Sequence, residues 1–168
     1  RVMGWKPALA VVLIDIGKGA AAAALISRLA YSAVPLADIH INIIAGFAAI
    51  AGHIWTVFAS FRGGKGVGTA FGVLLALAPA VSLVTFGCWL LLVLVTKIVS
   101  VGSVAAGIIF PLALFIQHWF FPGDVDISLR IMGIVLGLLI IITHRANIKR
   151  LFRGEENRFG NGKKKQAR

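Results

Sequence analysis

The chain has 168 residues, 59% of them hydrophobic and 14% charged, with a mean hydropathy of +0.94 and a formal net charge of +11. A soluble domain of this size needs more polar surface than that, so the composition excludes one. Residues 39–61, 67–96 and 98–123 contain no Asp, Glu, Lys or Arg and are long enough to span a bilayer.

These runs lack the alternation of a β-barrel, so they are expected to be helices. The fold class expected is an all-α polytopic membrane protein, a single domain over residues 1–168. Nine of the 17 basic residues follow His144, against two acids there, Glu155 and Glu156. Beside membrane spans such an excess marks a cytoplasmic tail, here from about residue 149, and not a nucleic-acid surface. The single Cys88 excludes an intrachain disulfide, and no signal-peptide pattern is present.

In chain order, the first span is expected at about residues 5–31. It carries Asp15 and Lys18, three apart and so on one helix face. Ionisable groups at membrane depth are costly and usually face a protein interior or wet cavity. The pair reads as support for a site, against the plainer reading of a structural ion pair. A turn with Pro35 and Asp38 follows. The second span, about residues 41–58, contains Gly52-His53; a lone His in an apolar run is most often a hydrogen-bonded core residue.

Then comes Arg62-Gly63-Gly64-Lys65-Gly66-Val67-Gly68-Thr69, four glycines and two cations between apolar segments. Without Cβ atoms the backbone can turn sharply and offer its N–H groups to an anion. A helix starting at Val67 would add its positive end, and Arg62 and Lys65 full charges. The loop reads as phosphate-binding, although it is not the Walker loop, because Gly66 follows Lys65 where that motif needs Ser or Thr. The competing reading is a basic turn required only by membrane topology.

Ala78-Pro79 divides residues 67–96 into two short helices, 67–78 and 81–96. Residues 99–121 go out again to an acidic turn around Asp124 and Asp126, and residues 130–143 return. This path has about six crossings, some short or half-length, and places 14 of the 17 basic residues on the inner side. The last span delivers His144-Arg145-Ala146-Asn147-Ile148-Lys149-Arg150 to the side of Lys65. If the helix continues, His144 and Asn147 share a face. Imidazole can act as base or hydrogen-bond partner, and a carboxamide can position a hydroxyl or carbonyl. A basic stop after a last span is the plainer reading of this stretch alone. The H-x-x-x-x-D acyltransferase arrangement is excluded, since Lys149 stands where Asp would be required. No H-E-x-x-H, CxxC or paired carboxylates suggest a metal.

Taken together, Gly52-His53, Phe61-Arg62-Gly63-Gly64-Lys65-Gly66-Val67, and His144-Arg145-Ala146-Asn147-Ile148 with Arg150-Leu151 resemble the PlsY family. Asp15-Ile16-Gly17-Lys18-Gly19 is similar to the family's D-x-x-K-G, and Ser100-Val101-Gly102-Ser103 to its S-L-x-S. Thr56, Arg62, Gly68 and Ala146 depart from the pattern, which has Pro, Lys, Ala and Glu there. The family's first helix and its G-S-G-N-x-G-x-T-N loop would precede Arg1, so the native N-terminus is expected upstream and the family fold has seven crossings.

The resemblance implies a bacterial membrane enzyme that moves an acyl chain from acyl-phosphate to the sn-1 hydroxyl of glycerol 3-phosphate. It implies an inner-membrane location with the site facing the cytoplasm. His144, Asn147 and Lys65 would be catalytic. Arg62, Gly63, Gly64, Lys65, Gly66, Thr69, Lys18 and Arg145 would hold substrate phosphate, with Asp15, His53, Ser100 and Ser103 in support. Acyl-phosphate is already an activated anhydride, so no cofactor or metal is called for. The partners implied are the two substrates, membrane lipid and the enzyme that makes acyl-phosphate, and no nucleic acid. Either His144 or the acyl-phosphate could take the hydroxyl proton. A transporter for a phosphorylated or other anionic small molecule is the alternative of another class, with a purely structural membrane protein third.

Overall fold

The computed structural model describes residues 5–123 and 125–159. Asp124 and residues 160–168 of the basic tail lie outside them. The described residues contain seven α-helices and no strand: α1 Trp5–Ala24, α2 Asp38–Ile54, α3 Val67–Leu77, α4 Pro79–Thr96, α5 Val99–Phe120, α6 Ile127–Thr143 and α7 Arg145–Phe152. Short 3-10 turns at Ile26–Ala30 and Val57–Ala59 extend α1 and α2.

All six expected apolar helices are present, with three starts shifted. Helix α6 begins at Ile127 and not near residue 130, because Asp126 caps it: its Oδ1 accepts the Ser128 N–H at 2.7 Å. Helix α4 begins at Pro79, where the fixed φ of proline suits a first turn. Helix α2 begins at Asp38, whose carboxylate lies in its first turn, favoured by the helix dipole. Four helices, α1 and α2 with their extensions, α4 and α5, are long and apolar enough to cross a membrane; α6 and α7, bent by 58°, would make a fifth. Helix α3 has 11 residues, about 16 Å at ~1.5 Å per residue, half of a hydrocarbon core.

That half-length helix sits at the centre. It packs against α1, α2, α4 and α6, and small residues allow the approach. A methyl on Gly19 would overlap the Thr69 carbonyl, and one on Gly72 the Ile16 carbonyl, so α1 and α3 touch backbone to backbone. Between α5 and α6, Gly107 and Gly137 do the same. The core of Ile50, Val73, Leu74, Phe110, Leu114 and Leu136 lies between these helices. The outer faces remain apolar, with residues such as Leu13, Ile44, Leu91 and Ile116 exposed, as lipid-facing surfaces are. Trp5 and Trp119 are exposed near helix ends, where amphipathic rings suit the membrane interface.

Candidate active site

The glycine loop folds back on the end of α2 before entering α3. The N–H groups of Gly63 and Gly64 donate to the carbonyls of Ile54 (3.0 Å) and His53 (3.2 Å). A methyl on Gly63 would strike the His53 carbonyl, and one on Gly64 the His53 imidazole. Both positions therefore demand glycine for close approach. Their N–H groups are taken by α2, and the N–H groups without helical acceptors lie at the start of α3. Gly66, at φ 81°, is the N-cap of that helix.

Lys65 then ties the loop to the far end of the chain. Its Nζ donates to Asn147 Oδ1 at 2.5 Å, and its carbonyl accepts from Thr143 Oγ1 at 3.3 Å. Asn147 Nδ2 in turn donates to Glu156 Oε1 at 2.6 Å. An ammonium can only donate and a carboxylate only accept, so these two neighbours fix the amide's orientation. Glu156 also accepts from Ser100 Oγ (3.0 Å) and, through Oε2, from Arg150 Nε (2.7 Å). Burial by itself would raise the Glu156 pKa, but the hydrogen bonds from Arg150, Asn147 and Ser100 outweigh it and hold the carboxyl below its ordinary range. Lys65 is shifted down, chiefly by burial and further by Arg150, with Glu156 opposing.

The condition that the last helix continue straight through His144 is not met. The helix breaks there: His144 sits at φ −96°, ψ 5°, and α7 leaves α6 at 58°. His144 and Asn147 nevertheless both turn inward, 3% and 6% exposed. The His144 Nδ1 lies 2.8 Å from the Ile140 carbonyl. A carbonyl only accepts, so Nδ1 carries a proton, and when the ring is neutral Nε2 presents its lone pair.

A cavity of about 1470 Å³ opens at this cluster. Lys65, His144, Asn147, Arg150, Glu156 and Arg158 line its polar end. Phe71, Leu74, Phe86, Trp89, Phe110 and Leu136 line its length, between α3, α4, α5 and α6. Ser100 and Ser103 border it as well, and the Ser103 hydroxyl donates to Val99 O while accepting from Trp89 Nε1.

On the other side of the glycine loop is a second cluster. Lys18 Nζ lies 2.5 Å from Asp15 Oδ1 and 2.7 Å from His53 Nδ1, beside a cavity of about 440 Å³ that Gly63 and Gly64 also border. Asp15, Lys18 and His53 thus act on the back of the loop and do not line the large cavity. Arg62 and Arg145 are exposed and border neither cavity. Thr69 is fully buried, and its hydroxyl finds no hydrogen-bond partner among the described residues. Glu156 and Arg158 were not among the residues expected at the site, their only signal being an acidic pair inside a basic tail, and Arg150 was noted as part of the last motif without a role.

The family model described as glycerol-3-phosphate acyltransferase matches residues 1–154. The glycerol-3-phosphate acyltransferase of Chlorobaculum tepidum is 45% identical to this chain, over 98% of the chain and 80% of the relative. That of Chlorobaculum parvum is 43% identical over the same shares. Two solved structures of PlsY (YgiH), described as an integral membrane glycerol 3-phosphate acyltransferase, are each 37% identical. The glycerol 3-phosphate form superposes with a TM-score of 0.80, over 95% of this chain and 74% of that one. The lysophosphatidic acid form gives 0.78, over 92% and 74%.

Proposed function

The chain belongs to the glycerol-3-phosphate acyltransferase family, and on that premise we propose that it moves a fatty acyl group from acyl-phosphate to the sn-1 hydroxyl of glycerol 3-phosphate. The products are lysophosphatidate and inorganic phosphate. The observation that carries this reading is the two-part cavity. Its polar end of Lys65, His144, Asn147 and Arg150 suits phosphate and a hydroxyl, and its apolar length between α3 and α6 suits an acyl chain. The relatives solved in glycerol 3-phosphate and lysophosphatidic acid forms support the same pair of ligands.

In this reading Lys65 and the start of α3 neutralise phosphate charge. Asn147, held between Lys65 and Glu156, fixes the reacting groups in place. His144 Nε2 accepts the hydrogen bond of the attacking hydroxyl and orients it. The hydroxyl oxygen attacks the acyl carbon, the bond from that carbon to the phosphate oxygen breaks, and the leaving phosphate takes the proton. Asp15, Lys18 and His53 hold the loop from behind.

Lys65, Lys97, Arg150 and Arg158 lie at the same end of the helices as the polar mouth. That charge bias supports a membrane protein of the inner membrane whose site faces the cytoplasm. The enzyme that makes acyl-phosphate would reach the site from that side. A transporter would be expected to hold its substrate near the midplane, where this cavity is apolar.

The test is turnover by the full-length protein in detergent. Acyl-phosphate and glycerol 3-phosphate should yield lysophosphatidate and one phosphate per acyl transferred. Turnover with an acyl thioester, and none with acyl-phosphate, would overturn the donor.

A further inference from the structure

The segment after α7 is a strap across the polar mouth. Gly154, at φ 69°, reverses the chain, with its N–H on Leu151 O and the Glu155 N–H on Arg150 O. Glu156 then docks on Ser100, Asn147 and Arg150. Three residues on, the Phe159 N–H donates to Lys97 O at 2.8 Å, in the turn between α4 and α5. Arg158 lies between these two anchors and lines the large cavity.

The cations lining that cavity are Lys65, Arg150 and Arg158. Arg150 is paired with Glu156, and Lys65 is bonded to Asn147. Arg158 makes no ion pair among the described residues, not even with Glu155, which also lines the mouth. Residues 160–168 carry no acidic side chain that could claim it. The proposed reaction brings two phosphate groups to this mouth at once. Two cations already engaged are a poor match for that charge.

We infer that Arg158 is a substrate-phosphate ligand, carried to the site by the strap, and that it completes the cationic lining around the phosphate of one of the two substrates. The inference rests on the acyl-phosphate reading only for the presence of a second phosphate. Guanidinium binds a phosphate by two parallel hydrogen bonds, a geometry that lysine does not reproduce.

The experiment compares full-length wild type with Arg158→Ala and Arg158→Lys in detergent. It follows KM for each substrate, kcat, inhibition by inorganic phosphate and thermal stability. Arg158→Ala should raise one KM about 10- to 100-fold with the melting temperature kept, and Arg158→Lys should recover part of it. A rise in the glycerol 3-phosphate KM alone assigns Arg158 to the acceptor. A rise in the acyl-phosphate KM, with inorganic phosphate inhibiting more weakly, assigns it to the donor. Both KM values and the phosphate inhibition within twofold of wild type would overturn the inference. So would a lysine variant as impaired and as destabilised as the alanine one. Calorimetric titration with glycerol 3-phosphate and inorganic phosphate needs no acyl donor. It therefore still decides for or against Arg158 if wild type fails to use acyl-phosphate, and weakened binding of neither ligand would count against the inference.

Discussion

Glu156 is the joint on which the polar mouth depends, and its removal should be costly in a graded way. Its side chain is 6% exposed and accepts hydrogen bonds from Ser100, Asn147 and Arg150. Glu156→Gln keeps an oxygen for Asn147 but turns an amide N–H2 toward the Arg150 guanidinium. Removing one partner of a fully buried pair costs about 3–5 kcal/mol. The Arg150 side chain is 40% exposed, so water rehydrates it and that share falls to about 1 kcal/mol. Lost charge assistance at Asn147 adds about 1 kcal/mol, for a total of about 2 kcal/mol, or about thirtyfold in the equilibrium between docked and released strap. Glu156→Ala also strands the Asn147 amide and the Ser100 hydroxyl, bringing the cost to about 4 kcal/mol. The assay is thermal unfolding in detergent across pH, with activity in parallel. Because the folded-state pKa of Glu156 is depressed, its contribution is present above the unfolded value and lost as pH falls through the folded one. The wild type should therefore weaken on the acid side, and Glu156→Gln should flatten that limb. Unchanged melting, acid limb and kinetics in both variants would refute the account of Glu156 as the joint.

Lys65→Ala should raise the glycerol 3-phosphate KM and lower kcat by about 10²–10³-fold. In wild type the alkaline limb of kcat/KM should fall earlier than for an ordinary lysine, because burial lowers the Lys65 pKa; Lys65→Arg should move that limb upward, and an unmoved limb would assign it elsewhere. Gly64→Ala should cost most of the activity because its methyl would overlap the His53 ring, and His53→Ala in the same chain should restore part of it; no restoration would place the damage outside that contact. If His144 orients the hydroxyl, His144→Asn should keep much of the rate while Asn147→Ala loses most of it. A loss of about 10²–10⁴-fold in a folded His144→Asn enzyme that binds both substrates would make His144 the base.

The spans were legible because a membrane helix advertises itself by what it lacks. Charge-free runs end at Arg62, Lys97 and Asp124, and Ala78-Pro79 splits the one run too long for a single helix. The break at His144 was not legible, since no glycine or proline marks it. One tertiary contact and one local one accompany it: Thr143 reaches the Lys65 carbonyl, and the His144 ring turns back to Ile140 four residues earlier. The same limit applies to polar partners. Asp15 and Lys18 could be paired from their spacing, but His53, their third member, comes from another helix. Periodicity orders residues within one helix and says nothing about which helix faces it. Glu156 shows the limit most sharply. In the sequence it is one of two acids in a basic tail; in the structure, Gly154 reverses the chain and the carboxylate becomes the acceptor that Asn147, Arg150 and Ser100 share. Glu156 engages Arg150 in an ion pair, and no carboxylate among the described residues does so for Arg158, which is why the two arginines, eight positions apart in one tail, are assigned different work.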